Sequence, residues 1–364
     1  MERGWWLLVA VALVALLVLS GGIPGDQSGA GRGEVEVSGL YNVSNGTQLW
    51  PYTSTAHDVE TRTLPINVYV NKSPAATRDI LVGDAQHWDE VGAERADAGE
   101  SYSIARWGAA SGADRYAAVY ADGSGSVWLG EEFQLEDGRY LGTREHVRIY
   151  GRFDGSWSAI QAHGEYWDWF RLRHTVVDLD RARNGVVRDL STGDDVTVIE
   201  RDSPPERVVL VGAALAVVAG WRRVSRNHLA AFGPGAVYLG VRSTGIALEG
   251  LLAIAPPKAI VGILYPFFLV GVPTVAYYWT RRVETDISPV TAAVLPSLGF
   301  ALALVIDGMA MGIYDPSLQL VAVRMAAATA LGLIAAAGTT DGPTVGPGAT
   351  LWFVAIALPL VGLV

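Results

Sequence analysis

From residue 208 to the C-terminus the chain is a succession of apolar runs, most of them close to the roughly 20 residues that a helix needs to cross a hydrocarbon core. A backbone surrounded by lipid must satisfy its own hydrogen bonds, so runs of this kind fold as helices and restrict the rest of the chain to what can be attached to a helical bundle. The runs are Val208–Trp221, Pro234–Ala255, Ala259–Thr280, Pro289–Met309, Leu318–Ala337 and Ala349–Val364. They predict a transmembrane domain of about six helices over residues 204–364, entered through Pro204-Pro205. A further apolar run, Trp5–Ser20 behind Arg3, makes residues 1–25 a signal anchor, or a signal peptide with a small-residue cleavage region at Ser20-Gly21-Gly22.

Between these ends the chemistry changes. Residues 26–205 carry 29 Asp/Glu and 17 Lys/Arg, a net of −12, and the remainder carry 8 and 10, a net of +2; together they make the −10 of the whole chain. An acidic surface repels phosphate backbones, so nucleic acid is not an expected partner. Twenty-five of the 27 basic residues are arginine, and the Asp/Glu excess resembles the style of halophilic proteins, whose carboxylates keep a surface hydrated in salt. The chain has no cysteine, which removes disulfides, thiolate nucleophiles and thiolate metal sites.

Arginines give the topology a direction. Arg222, Arg223 and Arg226 follow one run, and Arg281 and Arg282 follow another two spans later. With residues 26–203 outside the plasma membrane, both clusters fall in the cytoplasm, as the positive-inside rule requires. Three of the six asparagines, Asn42, Asn45 and Asn71, open Asn-x-Ser/Thr triplets in the acidic part, where glycosylation would act on an exterior surface; Asn45-Gly46 is also a hairpin signal.

Residues 26–33 are Gly/Ser-rich and read as a linker; from residue 34 the apolar period becomes two, which marks strands. Strands are expected over Ile66–Val70, Tyr116–Tyr120, Ser126–Leu135, Glu145–Phe153, Ser156–His163, Trp167–Val177 and Val196–Ile199. Helices are expected over Ala75–Gly83, capped by Ser73-Pro74, and over Leu179–Leu190. The predicted class is an α+β exterior domain over 34–203, with a mainly antiparallel sheet and about two helices, joined to an all-α transmembrane bundle.

Leu64-Pro65-Ile66-Asn67-Val68-Tyr69-Val70, Trp88, the Gln134–Gly142 stretch and Arg144-Glu145-His146-Val147-Arg148-Ile149-Tyr150 together resemble the C-terminal domain of the LssY family, whose members carry a PINVVV strand and an RxHxRxW strand. The resemblance covers about residues 62–175. It implies a cell-envelope domain that accompanies membrane-embedded segments of lipid-phosphatase or DedA type. It supplies no catalytic residues, and the C-terminal half of this chain has no phosphatase histidine motif.

Candidate chemistry gathers in two places. In the acidic domain, His163 and Glu165 share one face of a strand, with His146 or His174 as a third member across the sheet, suited either to a metal or to general acid–base work. The spacing matches no compact zinc motif, and neither a metal nor a cofactor is assigned. Arg144 and Arg148 suit anionic ligands or cross-strand ion pairs, and Trp167 and Trp169 suit a platform for sugars or lipid headgroups. In the apolar runs, Arg242, Glu249, Asp307 and Arg324 are costly in lipid; Arg324 and Asp307 are expected to pair, and an ion path is the alternative. The expected function is binding of an envelope glycan, lipid or protein partner by a polytopic protein surrounded by membrane lipids. The alternatives are an enzyme on lipid-linked or phosphorylated envelope substrates, with His146, His163 and Glu165 as its catalytic candidates, and a transporter using Glu249 and Asp307. Oligomeric state has no signature in the sequence.

Overall fold

A computed structural model describes residues 39–91 (without 45 and 86), 115–199 (without 122–123, 152–154 and 191–195) and 232–362 (without 253–254, 283–286, 315, 340–341 and 343). The N-terminal run, the 26–33 linker, Asn45, Val208–Trp221 and the Arg222–Arg226 cluster lie outside the described residues.

The first part is a curled antiparallel sheet of eleven strands, a half-barrel, with two helices. Its strands are β1 (Tyr41–Ser44), β2 (Thr47–Ser54), β3 (Arg62–Pro65), β4 (Val68–Val70), β5 (Asp89–Glu90), β6 (Tyr116–Ala121), β7 (Ser124–Gly138), β8 (Thr143–Tyr150), β9 (Ser158–Asp168), β10 (Arg173–Asp178) and β11 (Val196–Val198). The path runs β1-β2-β6-β7-β8-β9-β4-β11, with β10 on β9, β3 on β2 and β5 on β7. Helix α1 (Pro74–Asp79) starts where the sequence predicts: Ser73 Oγ accepts from Ala76 N at 3.2 Å and proline takes the first turn. It continues as a π turn over Ile80–Asp84. Helix α2 is Asp180–Leu190.

Alternation sorts the side chains. Leu135, Val147, Ile149, Ile160 and Ala162 line one face under Ala182, Val186 and Leu190 of α2. On the other face Tyr69, Tyr150 and Ala159 pack with Val43, Leu49, Ala117 and Val119 of β1, β2 and β6. The curl therefore encloses that second face, called the inner face below.

One expected strand is two. The predicted Trp167–Val177 strand is broken by a turn: β9 ends at Asp168, whose Oδ1 accepts from Phe170 N at 2.9 Å, and Leu172 takes φ 48°. Short-range acceptance by an aspartate is a turn signal that the aromatic run Trp167–Phe170 obscures.

The second part is helical: α3 (Gly233–Leu251), α4 (Pro257–Arg282, with a π turn at Phe267–Gly271), α5 (Pro289–Ala310), α6 (Leu318–Ala337) and α7 (Val345–Leu360). Three of these, α4, α5 and α6, are long and apolar enough to cross a membrane. Of the six expected spans, one is outside the described residues, α3 is a 19-residue helix carrying Arg242 and Glu249, and α7 is a 16-residue apolar helix. Large apolar side chains such as Ile263, Phe267, Val290, Val294 and Phe353 point outward. Inside, small residues bring backbones together: a Cβ on Gly332 would stand 2.6 Å from Ala293 O. Hydroxyls and an indole tie helix to helix, with Thr280 Oγ1 donating to Ala335 O (2.8 Å), Ser297 Oγ to Ala328 O (2.8 Å) and Trp352 Nε1 to Leu269 O (2.9 Å).

Candidate functional site

The polar half of the inner face is built by register. Three cross-strand rows run over β7, β8 and β9: Gln134–Arg148–Gln161, Glu136–His146–His163, and Gly138–Arg144–Glu165. Gly138 is required by its place, since its φ is +116° and a Cβ there would meet Thr143 O at 2.5 Å. That turn sets the register, and a slip of one residue would send every member of the rows to the apolar face.

His146, His163 and Glu165 are 5%, 4% and 7% exposed, so a polar cluster sits where a sheet interior is ordinarily apolar. The two imidazoles oppose each other directly, with ring centroids 5.1 Å apart and planes at 79°. His163 Nε2 lies 3.3 Å from Glu165 Oε2, and Gln161 Nε2 donates to His163 Nδ1 at 2.6 Å. His146 Nε2 donates to Gln134 Oε1 at 3.3 Å. Arg144 donates through Nε to Glu165 Oε1 at 2.6 Å and through Nη1 to Glu136. Arg148 pairs with Glu131. His174 Nε2 donates to Tyr140 O at 2.8 Å, and its Nδ1 is 3.9 Å from Glu165 Oε1.

Burial alone would raise the Glu165 carboxyl, but the His163 hydrogen bond and the Arg144 charge outweigh it and hold the group far below the usual carboxylate range. Burial, reinforced by His163, pushes His146 well below the ordinary imidazole value, and burial beside Arg144 lowers His174 to about 4. At neutral pH Glu165 is thus ionised, and His146 and His174 are held neutral. Arg144 pairs with Glu136 and Glu165, and Arg148 with Glu131. An anionic ligand finds no uncommitted arginine in this arrangement, whereas a cation finds lone pairs. His146, His163 and Glu165 each offer one donor atom, all within 4.8 Å of one another.

The tryptophans are elsewhere engaged. Trp167 is buried against Tyr140 and His174, and Trp169 is fully buried in the apolar core shared with the helices. Neither forms an open platform, because the turn after Asp168 drives Trp169 and Phe170 into the bundle. Asn42 accepts from Gln48 Nε2 at 2.9 Å on an exposed edge, and Asn71 is exposed.

Arg242, Glu249, Asp307 and Arg324, the charges within the apolar runs, each hold a partner. Arg242 donates through Nε to Asp307 Oδ1 (2.7 Å) and through Nη2 to Oδ2 (2.9 Å), a bidentate pair that Tyr238 completes with its hydroxyl on Asp307. Its Nη1 reaches Trp167 O at 2.7 Å. Arg324 does not pair with Asp307 as expected; its Nη2 donates to Asp168 Oδ1 at 2.6 Å, and its guanidinium lies 3.4 Å above the Phe170 ring. Glu249 does not share a site with Arg242 and instead accepts from Tyr140 N (2.6 Å) and Leu141 N (2.8 Å). These contacts seat the β7–β8 and β9–β10 turns on the helices.

Fold and site together define a class: an antiparallel half-barrel seated on apolar helices, with a buried imidazole–carboxylate site among its central strands. No family model, curated protein or solved structure matches the chain.

Proposed function

We propose that this chain is a multi-pass protein of the cell envelope whose sheet domain faces the exterior and binds an envelope component at the inner-face site of Arg144, His146, His163 and Glu165. The observation that carries the reading is the convergence of those four side chains, three of them buried and Arg144 partly so, in adjacent cross-strand rows. The arginine clusters at 222–226 and 281–282 support a cytoplasmic side opposite the sheet. The resemblance of residues 62–175 to LssY C-terminal domains accords with an envelope role. Glu249 and Asp307 each hold partners already, which leaves a transporter reading without a free carboxylate among the described span charges. An enzyme on lipid-linked or phosphorylated envelope substrates is the second reading, favoured by the His163–Glu165 pair, an arrangement that can move a proton.

The chain has no cysteine, so single reporters give clean topology. Glu132→Cys, on an exposed position of β7, is expected to react with a membrane-impermeant maleimide on intact cells, and Arg282→Cys only after permeabilisation. The reverse pattern overturns the exterior assignment.

A further inference from the structure

We propose that His146, His163 and Glu165 form a binding site for a single divalent transition metal, zinc in the first instance, with a fourth position open to water or ligand. The inference rests on the same site as the proposed function and narrows what it binds.

Three observations carry it. The first is the ligand set: two imidazoles and a carboxylate suit zinc and its first-row neighbours, and three protein donors leave one coordination position free. The second is spacing. Two ligands at zinc distances from a tetrahedral ion stand about 3.3–3.5 Å apart. His163 Nε2 and Glu165 Oε2 are 3.3 Å apart, long for a charge-assisted hydrogen bond and right for two ligands of one ion. His146, directly opposite His163 across β8–β9, supplies the third donor; the spread of 4.8 Å among donors closes by rotation of the imidazole about its soft χ2.

The third observation is the support around each ligand. Metal-binding imidazoles hold their other nitrogen on a fixed acceptor, and ligating carboxylates have their second oxygen occupied. Here Gln134 Oε1 accepts from His146 Nε2, which places the lone pair of that ring on Nδ1. Gln161 lies 2.6 Å from His163 Nδ1; a flip of its amide presents Oε1 to an Nδ1–H and frees Nε2 for the ion. Arg144 occupies Glu165 Oε1 and leaves Oε2. Every outer partner comes from the same three rows, so the register that makes the sheet also makes the shell.

The charge agrees. The three carboxylates Glu131, Glu136 and Glu165 outnumber the two arginines, Arg144 and Arg148, that pair with them.

The test uses the full-length protein in detergent, stripped with a chelator and dialysed against zinc chloride. The expected result is one zinc per chain, with X-ray absorption of the zinc-loaded wild type showing two imidazoles and one carboxylate. His163→Gln and Glu165→Gln are expected to weaken binding about 100-fold or more, and Gln134→Ala about 10-fold through loss of outer support. No stoichiometric zinc in the wild type, or a ligand shell without imidazole, overturns the proposal. So does equal binding by the wild type and a folded His163→Gln or Glu165→Gln variant. Should both variants fail to fold, the absorption spectrum of the wild type decides alone. Absence of zinc together with exterior labelling of Glu132→Cys removes the metal and leaves the envelope reading standing; cytoplasmic labelling with zinc bound does the converse.

Discussion

The bundle and the sheet bury the same kinds of residue and use them differently. In the helices, Arg242, Asp307 and Tyr238 satisfy one another, and Glu249 and Arg324 meet the turns of the sheet domain. In the sheet, Arg144 holds only one oxygen of Glu165, and the glutamines hold only one nitrogen of each facing histidine. A buried charge paired off with a distant partner is mortar; a buried carboxylate and two imidazoles whose donor atoms converge within 4.8 Å are a site. The contrast explains why the costly residues of the apolar runs do not signal transport: each holds a partner 65 to 156 positions away, although Arg324 Nη1 is buried without one.

Breaking the mortar should have the largest effect. Arg242→Ala leaves Asp307 buried beside a tyrosine without its cation, a loss expected at about 3–5 kcal/mol, read as a fall in the thermal midpoint of the full-length protein in detergent. Arg242→Met with Asp307→Leu is expected to be more stable than either single variant, because no uncompensated charge remains. An unchanged midpoint for Arg242→Ala would show that the pair is not sealed.

The seat between the two regions comes next. Arg324→Ala takes from Asp168, which has no exposed surface, the nearer of its two cations and leaves Arg171 at 3.8 Å, and about 3 kcal/mol is expected to be lost. Burial would raise Asp168, but Arg324 outweighs it and lowers the carboxyl below its ordinary value. A depressed carboxyl contributes stability above its unfolded pKa, near 3.8, and loses it as pH falls through the lower folded value. The wild type should therefore show an acid loss of stability in that window, which Asp168→Asn reduces, the part due to Glu165 remaining. Equal acid profiles for wild type and Asp168→Asn would dissolve this link between sheet and bundle.

Smaller still is Glu249→Ala, which leaves Tyr140 N and Leu141 N without their carboxylate; the expected cost is about 1–2 kcal/mol, comparable to loss of a helix cap. Smallest on stability is Gln134→Ala, for which the outward change is in metal affinity and the thermal midpoint of the metal-free protein is expected to move little.

The sequence shows some of this and conceals the rest for physical reasons. Apolar runs are local, so α4, α5 and α6 fall within a few residues of the runs predicted at 259–280, 289–309 and 318–337. Alternation is local too and places β8 to within a few residues, as the Ser73-Pro74 cap does the start of α1. His163 and Glu165 are legible as one face of a strand because that needs only a period of two. Opposition of His146 to His163 needs the register of β8 on β9, which the pairing of the two strands sets and the spacing alone does not show. The pairing of Arg324 with Asp168 crosses from bundle to sheet and has no signature in either segment. Trp169 misleads for a related reason: the Asp168 turn sends it into the helices, where Gly245 makes room, a Cβ there standing 3.2 Å from the indole.

The measurement that tests the contrast most directly is the zinc-dependence of the thermal midpoint in three proteins: wild type, Arg324→Ala and Glu165→Gln. A ligand at a hundred times its dissociation constant stabilises the folded state by about 2.7 kcal/mol. The wild type and Arg324→Ala are expected to rise alike with zinc, from different starting points, while Glu165→Gln stays where it is. A wild type indifferent to zinc, or a Glu165→Gln that rises with the others, would contradict the division of buried charges into mortar and site.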